Sequence, residues 1–527
     1  MLVNEFLEHS ADLYPEKVAL VHENRRLTYQ EVENQANRLS HALAHQGLSK
    51  GERAAVYLET SIETVLGIFG ILKAGAVFLV INPQVKPDKV EYILNDCQVR
   101  CLITDSRHLQ SIAAHLPNCP DLSSIIVVDE EYKKNKWDNL DKIEFFDFSD
   151  LLADFPSDHP PKCRIDIDLA SLIYTSGSTG IPKGVTLTHL NMVTAASSII
   201  EYLENQHDDI IIDVLPLSFD YGLYQVLMVF KFGGTVVLEC SFLYPYKLID
   251  LIIKEKVTGF PLVPTIAAIL LKLKNLDKFD FSHVRYISNT AQAFPPEHIF
   301  RLQKIFPNAR IYSMYGLTEC KRVSYLPPAE LERRPTSVGI AMPNTEAFIV
   351  DGKGQRVTTA GQIGELVVRG ANVMKGYWNL PEETAQVLKA GPIPGEMMLY
   401  TGDLFKMDEE GFLYFVSRKD DLIKTAGERV SPKEIENVLH QIDGIAEAAV
   451  VGVNDEILGQ AIKAFVTLKD DVGLSAKDII KRSSQRMERF MVPKYVEIME
   501  ELPKSSHGKV NKKKLKALLE ERKNDVS

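Results

Sequence analysis

The sequence predicts an α/β protein: a large N-terminal region of layered sheets, a β-rich subdomain after about Asn344, and a smaller α/β unit beyond Arg418. Three observations predict it. Short apolar runs alternate with helical stretches along the N-terminal part of the chain, the pattern of α/β units. Several runs, such as Thr235 to Leu238, are apolar almost throughout, as parallel strands buried on both faces are. After Asn344 the runs shorten and turn residues multiply, at Asp351-Gly352, Gly361, Gly370 and Glu409-Glu410-Gly411.

Taken in order, Leu27 to His45 carries a helix after Thr28. Glu52 to Leu58 reads as a strand, Glu63 to Lys73 as a helix and Ala76 to Ile81 as a strand. Val99 to Thr104 and Ser124 to Val128 are short strands, and the charged stretch Glu130 to Pro161 is expected to cross the surface. Strands resume at Ser171 to Thr175, Ile210 to Leu215, Thr235 to Leu238, Gly259 to Val263 and Tyr286 to Ile287, with helices at Tyr246 to Lys256 and Pro296 to Phe306. In the last unit, Ser431 to Gln441 and Ser475 to Met487 are helices, and Ala446 to Val453 and Ile462 to Leu468 are strands. The lysine-rich end, Lys509 to Lys523, is expected to fray.

The chain has 527 residues, enough for three or four domain-sized units at roughly 150 residues each. Hydrophobic residues at 45% and charged residues at 25% exclude a disordered, collagenous or coiled-coil main body. Sixty basic against 71 acidic residues give a net charge of -11, which argues against nucleic acid or anionic membrane as general partners. A small anionic ligand at one site is not excluded. Cys97, Cys101, His115 and Cys119 match no common zinc spacing, and no CxxC pair occurs. The start, MLVNEFLEHSADLYPEK, is not a secretory signal. The apolar stretch Thr64 to Ile81 is broken by Lys73 and three glycines and fits a buried helix-to-strand passage. A reducing, cytoplasmic setting is the expectation.

The strongest local signal is an apolar strand running into Thr175-Ser176-Gly177-Ser178-Thr179-Gly180, followed by Ile181-Pro182-Lys183-Gly184. Glycine lets backbone N–H groups approach an anion, hydroxyls add donors, and Lys183 adds charge. The spacing is neither GxxxxGK[ST] nor GxGxxG, so it supports neither an ordinary P-loop nor a dinucleotide fold. Alone, it also fits a flexible surface loop.

YTSGSTGIPKG resembles the phosphate loop of the adenylate-forming superfamily, which comprises acyl-CoA synthetases, peptide-synthetase adenylation domains and luciferases. Five further motifs follow in that family's order: Tyr315-Gly316-Leu317-Thr318-Glu319, Tyr400-Thr401-Gly402-Asp403, Ser417-Arg418-Lys419-Asp420-Asp421, Gly427 to Glu436, and Gly508-Lys509-Val510. The resemblance implies a large domain over residues 1–419 and a small mobile domain over 420–527, rotating about Asp420. It implies ATP and Mg²⁺ as cofactors, with the loop residues Thr175 to Gly180 and Lys183 on the phosphates. Thr318 would bind phosphate, Tyr315 would pack on adenine, Asp403 would accept the ribose hydroxyls, and Arg418 would reach ribose or phosphate. An acidic residue beside phosphates calls for a cation, so Glu319 is the expected Mg²⁺ ligand. Lys509 is the expected adenylation lysine, whose long stem suits a residue that visits the site in one domain pose. Two departures stand out: Ala426-Gly427 where Gly-Gly is frequent, and Ser417 where glycine is usual.

By the same resemblance the acyl pocket lies beside Leu215 to Gly222. Phe219-Asp220 resembles the pair whose aspartate binds an amino acid's ammonium, and a buried carboxylate needs such a partner. Tyr221, Tyr224, Met314, Arg322 and Val323 would line the rest, and their bulk implies a small substrate. The run Tyr315 to Pro328 resembles free-standing proline-activating enzymes of nonribosomal peptide and secondary-metabolite synthesis. The leading expectation is therefore activation of an amino acid, proline foremost, and its transfer to the phosphopantetheine thiol of a separate carrier protein. The alternative is an acyl-CoA ligase acting on a small carboxylic acid, with coenzyme A as acceptor. Oxidation of the adenylate as in luciferases has no specific support, and a non-enzymatic module would have to lack Lys509, Glu319 or Asp403, all of which are present.

Overall fold

The structure, a computed structural model, describes residues 1–134, 137, 140–176, 182–240, 242, 244–290, 296–419, 421–425, 428–455, 459–469, 473–504 and 510–524. Two large sheets form the N-terminal part. The first has nine strands, and six of them, Val18–His22, Ile210–Asp213, Thr235–Leu238, Gly259–Leu262, Tyr286–Asn289 and Arg310–Tyr315, run parallel. Short antiparallel strands close its edges at Arg25–Thr28, Ser324–Tyr325 and Ile340–Ala341. The second has eight strands, with Arg53–Tyr57 between Val77–Val80 and Val99–Thr104 in parallel register.

Alternation decides which core each side chain enters. In the strand Arg53–Tyr57, Ala54 and Val56 join the large core between the sheets, while Ala55 and Tyr57 join a second core with Val90, Ile93 and Leu109. The sheet is thus buried on both faces, as its apolar runs imply. Between the sheets lies the helix Asp220–Phe232, whose side chains are buried from Asp220 through Phe230; an all-round apolar helix requires such a position. The helix Tyr29–His45 begins at a Thr28/Glu31 capping box. It packs on Ile62–Lys73, where a Cβ on Gly70 would come within 2.7 Å of the Leu39 side chain. Lys73, buried at the end of that helix, is held 2.8 Å from both Glu8 and Glu33. Its ammonium fills the space where Glu8, Glu33 and His159 would otherwise resemble a cation site. Among the described residues no helix is long and apolar enough to cross a membrane.

Two expectations need correction. Glu130 to Pro161 is not simply a surface crossing: Glu144–Asp147 adds a parallel edge strand beside Ser124–Val127, and Phe148–Asp154 is a helix capped by Asp147. Four residues are too few to display periodicity in a charged stretch. The lysine-rich end forms the helix Lys512–Asn524, because Leu515 is wholly buried against Ala449, Val451 and Phe465.

A third sheet, antiparallel, contains Thr345–Val350, Gly364–Gly370, Leu388–Ala390, Met397–Met407 and Leu413–Arg418. A fourth contains Ile423–Thr425, Glu428–Val430, Ile445–Asp455, Gly459–Leu468 and Tyr495–Ile498. Helices Pro432–His440 and Ala476–Ser484 cover one face of the fourth sheet and Lys512–Asn524 the other. The Ser431 hydroxyl donates to the Val416 carbonyl of the third sheet.

Asp209 anchors the strand that leads toward Asp220. It accepts from Arg285 Nε at 3.1 Å and Nη2 at 2.6 Å, from the Thr258 hydroxyl at 2.7 Å and from the Gln206 N–H at 3.0 Å. Burial would raise its pKa, but Arg285 and these donors outweigh that and hold the carboxyl below its ordinary value. A depressed folded pKa contributes stability above the unfolded value that is lost as pH falls through the folded one. Asp209→Ala should cost about 3 kcal/mol at pH 7. The gap to wild type in thermal midpoint should narrow below about pH 4; an equal gap at all pH values would contradict the ion-pair account.

Candidate functional site

The C-terminal ends of three parallel strands converge on one cavity of about 50 Å³, lined by Phe219, Asp220, Tyr221, Thr290, Gly316, Leu317, Thr318, Lys321 and Arg322. Ile210–Asp213 leads through a short loop to Asp220, Tyr286–Asn289 delivers Thr290, and Arg310–Tyr315 delivers the loop Gly316 to Val323. Crevices at strand C-termini are where open α/β sheets hold ligands.

The loop after Tyr315 folds back tightly. Arg322 N–H donates to the Cys320 carbonyl at 2.8 Å and Val323 N–H to the Tyr315 carbonyl at 2.9 Å. The Asn372 amide clamps it from outside, donating to Cys320 O at 2.9 Å and Arg322 O at 3.1 Å. A Cβ on Gly316 would lie 2.4 Å from the Lys321 carbonyl, so only glycine lets the two arms approach. Opposite, a Cβ on Gly222 would lie 2.6 Å from the Pro216 carbonyl, so glycine also seats the start of the Asp220 helix.

Asp220 occupies the first turn of its helix, where the backbone dipole favours a carboxylate. It is buried, and its partner comes from the chain itself. Lys321 Nζ lies 3.4 Å from Asp220 Oδ2 and also donates to the Asp220 backbone carbonyl. The same ammonium sits 4.2 Å from the centre of the Tyr224 ring. Burial pushes Lys321 down to about 7, with Asp220 opposing and the neighbouring Arg322 adding to the shift. The physical premise that Asp220 needs a partner holds, but Lys321 answers it without a substrate ammonium.

Of the other expected pocket residues, Phe219, Tyr221 and Arg322 line the cavity, and Tyr224, Met314 and Val323 are not among its lining residues. The Tyr221 hydroxyl bonds the Ser288 carbonyl at 2.8 Å, and the Arg322 guanidinium lies 5.2 Å from the Tyr221 ring centre. Met314 is buried and accepts a hydrogen bond from the Tyr202 hydroxyl at 2.9 Å, and Val323 is wholly buried behind the loop. Phe219 stands edge-on to Tyr221.

A second group lies at the sheet junction. The Tyr315 hydroxyl donates to Asp403 Oδ2 at 2.6 Å, and Arg418 Nε lies 3.4 Å from Asp403 Oδ1 across the paired strands. Burial and the Asp403 charge push the Tyr315 hydroxyl well above its ordinary value, so it remains a donor. Gly402, with φ of +71°, sits just before Asp403 within the strand Met397–Met407, a conformation that favours glycine. Glu319 accepts from the Tyr377 hydroxyl at 2.7 Å, and Lys183 Nζ sits 5.4 Å from the Tyr377 ring centre. Thr175 and Ser176 end their strand opposite Lys183 and Pro182. Gly177, Ser178, Thr179, Gly180, Asp420, Gly427 and Lys509 lie outside the described residues. Lys504 and Val510 form a backbone bridge, and Lys512 pairs with Glu436 at 2.6 Å.

Sequence reasoning missed Lys321, Thr290, Asn372 and Tyr377. Lys321 had a signal: it stands beside Arg322, a second basic residue, directly after the Tyr315 to Glu319 motif. The other three carry no signal without the fold.

The profile described as "AMP-binding enzyme" matches residues 7–378, and that of the "AMP-binding enzyme C-terminal domain" matches residues 434–509. A long-chain-fatty-acid–CoA ligase of Bacillus subtilis (strain 168) is 31% identical, over 97% of this chain and 94% of its own length. Tyrocidine synthase 3 of Brevibacillus parabrevis is 28% identical over 97% of this chain, which spans 8% of that protein. Among solved structures, an anthranilate CoA ligase, AuaEII, in complex with anthranoyl-AMP superposes with a TM-score of 0.90 at 28% identity, covering 99% of this chain and 98% of that one. These findings overturn the expectation of a proline-activating enzyme with a separate carrier protein. The Bacillus subtilis relative and AuaEII, matched along nearly their whole length, are CoA ligases, tyrocidine synthase 3 is matched along only a small part of its own, and Asp220 is already paired. This chain belongs to the AMP-binding enzyme family, the adenylate-forming superfamily of two-domain α/β enzymes.

Proposed function

We propose that the protein is an AMP-forming acyl-CoA ligase for a small carboxylic acid. The substrate carboxylate attacks the α-phosphate of ATP, pyrophosphate leaves, and the thiol of coenzyme A then displaces AMP from the acyl carbon. The observation that carries this reading is the Lys321–Asp220 pair, which removes the carboxylate an amino acid would need. The full-length match to CoA ligases supports the acceptor. The small cavity and its bulky walls support a small acid.

The first step needs charge neutralisation and in-line placement rather than a protein nucleophile. Thr175 to Gly180, Lys183 and Thr318 would hold the phosphates, Asp403 the ribose hydroxyls, Arg418 ribose or phosphate, and Tyr315 the adenine. Glu319 fits a Mg²⁺ ligand: its carboxylate accepts from Tyr377 and forms no ion pair among the described residues. When bound, Mg²⁺ would neutralise charge on the phosphates. We take residues 1–419 as the large domain and 420–527 as the small one, hinged at Asp420, with Lys509 entering from the small domain to assist adenylation.

Three measurements test this. Acid-dependent ATP–pyrophosphate exchange and CoA thioester formation should occur with amine-free acids; exchange with proline alone would refute the reading. Lys509→Ala should lower adenylation by about 100- to 1,000-fold while a supplied acyl-adenylate is still thioesterified, and equal losses in both half-reactions would sink the assignment. Asp403→Ala should raise KM for ATP by about 10- to 100-fold, the worth of charge-assisted hydrogen bonds, with a smaller effect on KM for the acid.

A further inference from the structure

Arg322 is a buried cation that the chemistry above leaves unused. It is 2% exposed and lines the same cavity as Thr318. Thr318 in that lining is half-buried, while Arg322 belongs to its buried part with Asp220, Tyr221, Thr290 and Lys321. The guanidinium lies over the Tyr221 ring and beside the Tyr202 hydroxyl. Its Nε has no hydrogen-bond partner, and among the described residues no carboxylate pairs with it.

The two nearby acids do not serve it. Asp220 is engaged by Lys321. Asp213 is wholly buried, accepts from the Leu215 N–H at 3.1 Å through one oxygen, forms no ion pair with Arg322, and burial pushes its carboxyl well above its ordinary value. The cavity therefore has two basic side chains in its lining, Lys321 and Arg322, and one carboxylate, Asp220, which Lys321 engages. An unpaired buried guanidinium is costly, and its planar fork matches a carboxylate. The reacting carboxylate cannot be its lasting partner, because that group loses its negative charge when the acyl-adenylate forms. A second carboxylate at the far end of the acid would stay charged through both steps.

We propose that the acid activated by this protein carries a second carboxylate, held by Arg322 in the buried part of the cavity lining. The proposal rests on the CoA-ligase reading. The test compares kcat/KM in CoA thioester formation for succinate, glutarate and isophthalate against the matched monoacids butyrate, valerate and benzoate. At least one diacid should exceed its monoacid by about 10- to 100-fold, the worth of a charge-assisted hydrogen bond. Arg322→Gln should bring that ratio near one, chiefly through KM for the diacid, and Arg322→Lys should retain part of it. If Arg322→Gln fails to fold, as judged by its melting transition, the wild-type ratio and the Lys variant decide. Equal use of monoacids and diacids by the wild type, or an equal loss for both in Arg322→Gln, overturns the proposal and leaves the CoA-ligase reading standing. Thioester from none of the acids, diacid or monoacid, overturns both.

Discussion

The cavity at the strand ends depends on the buried contact between Lys321 and Asp220. It joins a loop at the end of one parallel strand to the first turn of the helix that fills the space between the sheets. Neither charge could be buried alone without a large desolvation cost, so each fixes the position of the other. The consequence reaches beyond stability. A carboxylate already satisfied by the chain is not available to recognise an ammonium.

That contact is possible because several backbones approach more closely than side chains would permit. Gly316 lets the loop double back on Lys321, and Gly222 lets the helix start against Pro216. Asn372 holds the loop from the third sheet's side through two carbonyls. The Tyr315–Asp403 group follows the same plan. Tyr315 ends the strand that begins the loop, and its hydroxyl meets Asp403 on the third sheet. One strand end therefore feeds both the cavity and the Tyr315–Asp403 group, which share a common element.

Much of this was legible in the chain. The strand Val99–Thr104 and the helix opening at Thr28 follow from apolar runs and a capping box, which are local properties. The motif residues Tyr315, Glu319, Asp403 and Arg418 were identified by their order, and the fold brings Tyr315, Asp403 and Arg418 into direct contact. The edge strand Glu144–Asp147 was not legible, because its stability comes from pairing with Ser124–Val127 rather than from its own pattern. The C-terminal helix was misjudged for a related reason: lysine-rich composition suggested fraying, while one buried leucine anchors it.

Asp220 marks the boundary between the two kinds of knowledge. The sequence by itself determined the α/β class, the order of the motifs and the requirement that a buried carboxylate have a partner. Only the tertiary structure decided which partner, because Lys321 is about a hundred residues away along the chain and meets Asp220 through the convergence of separate strands. The same holds for Arg322: its neighbour in sequence is paired and it is not, a distinction that composition and spacing do not contain. Charge pairing in a cavity is set by distances of a few ångströms between segments, and those distances exist only once the chain is folded.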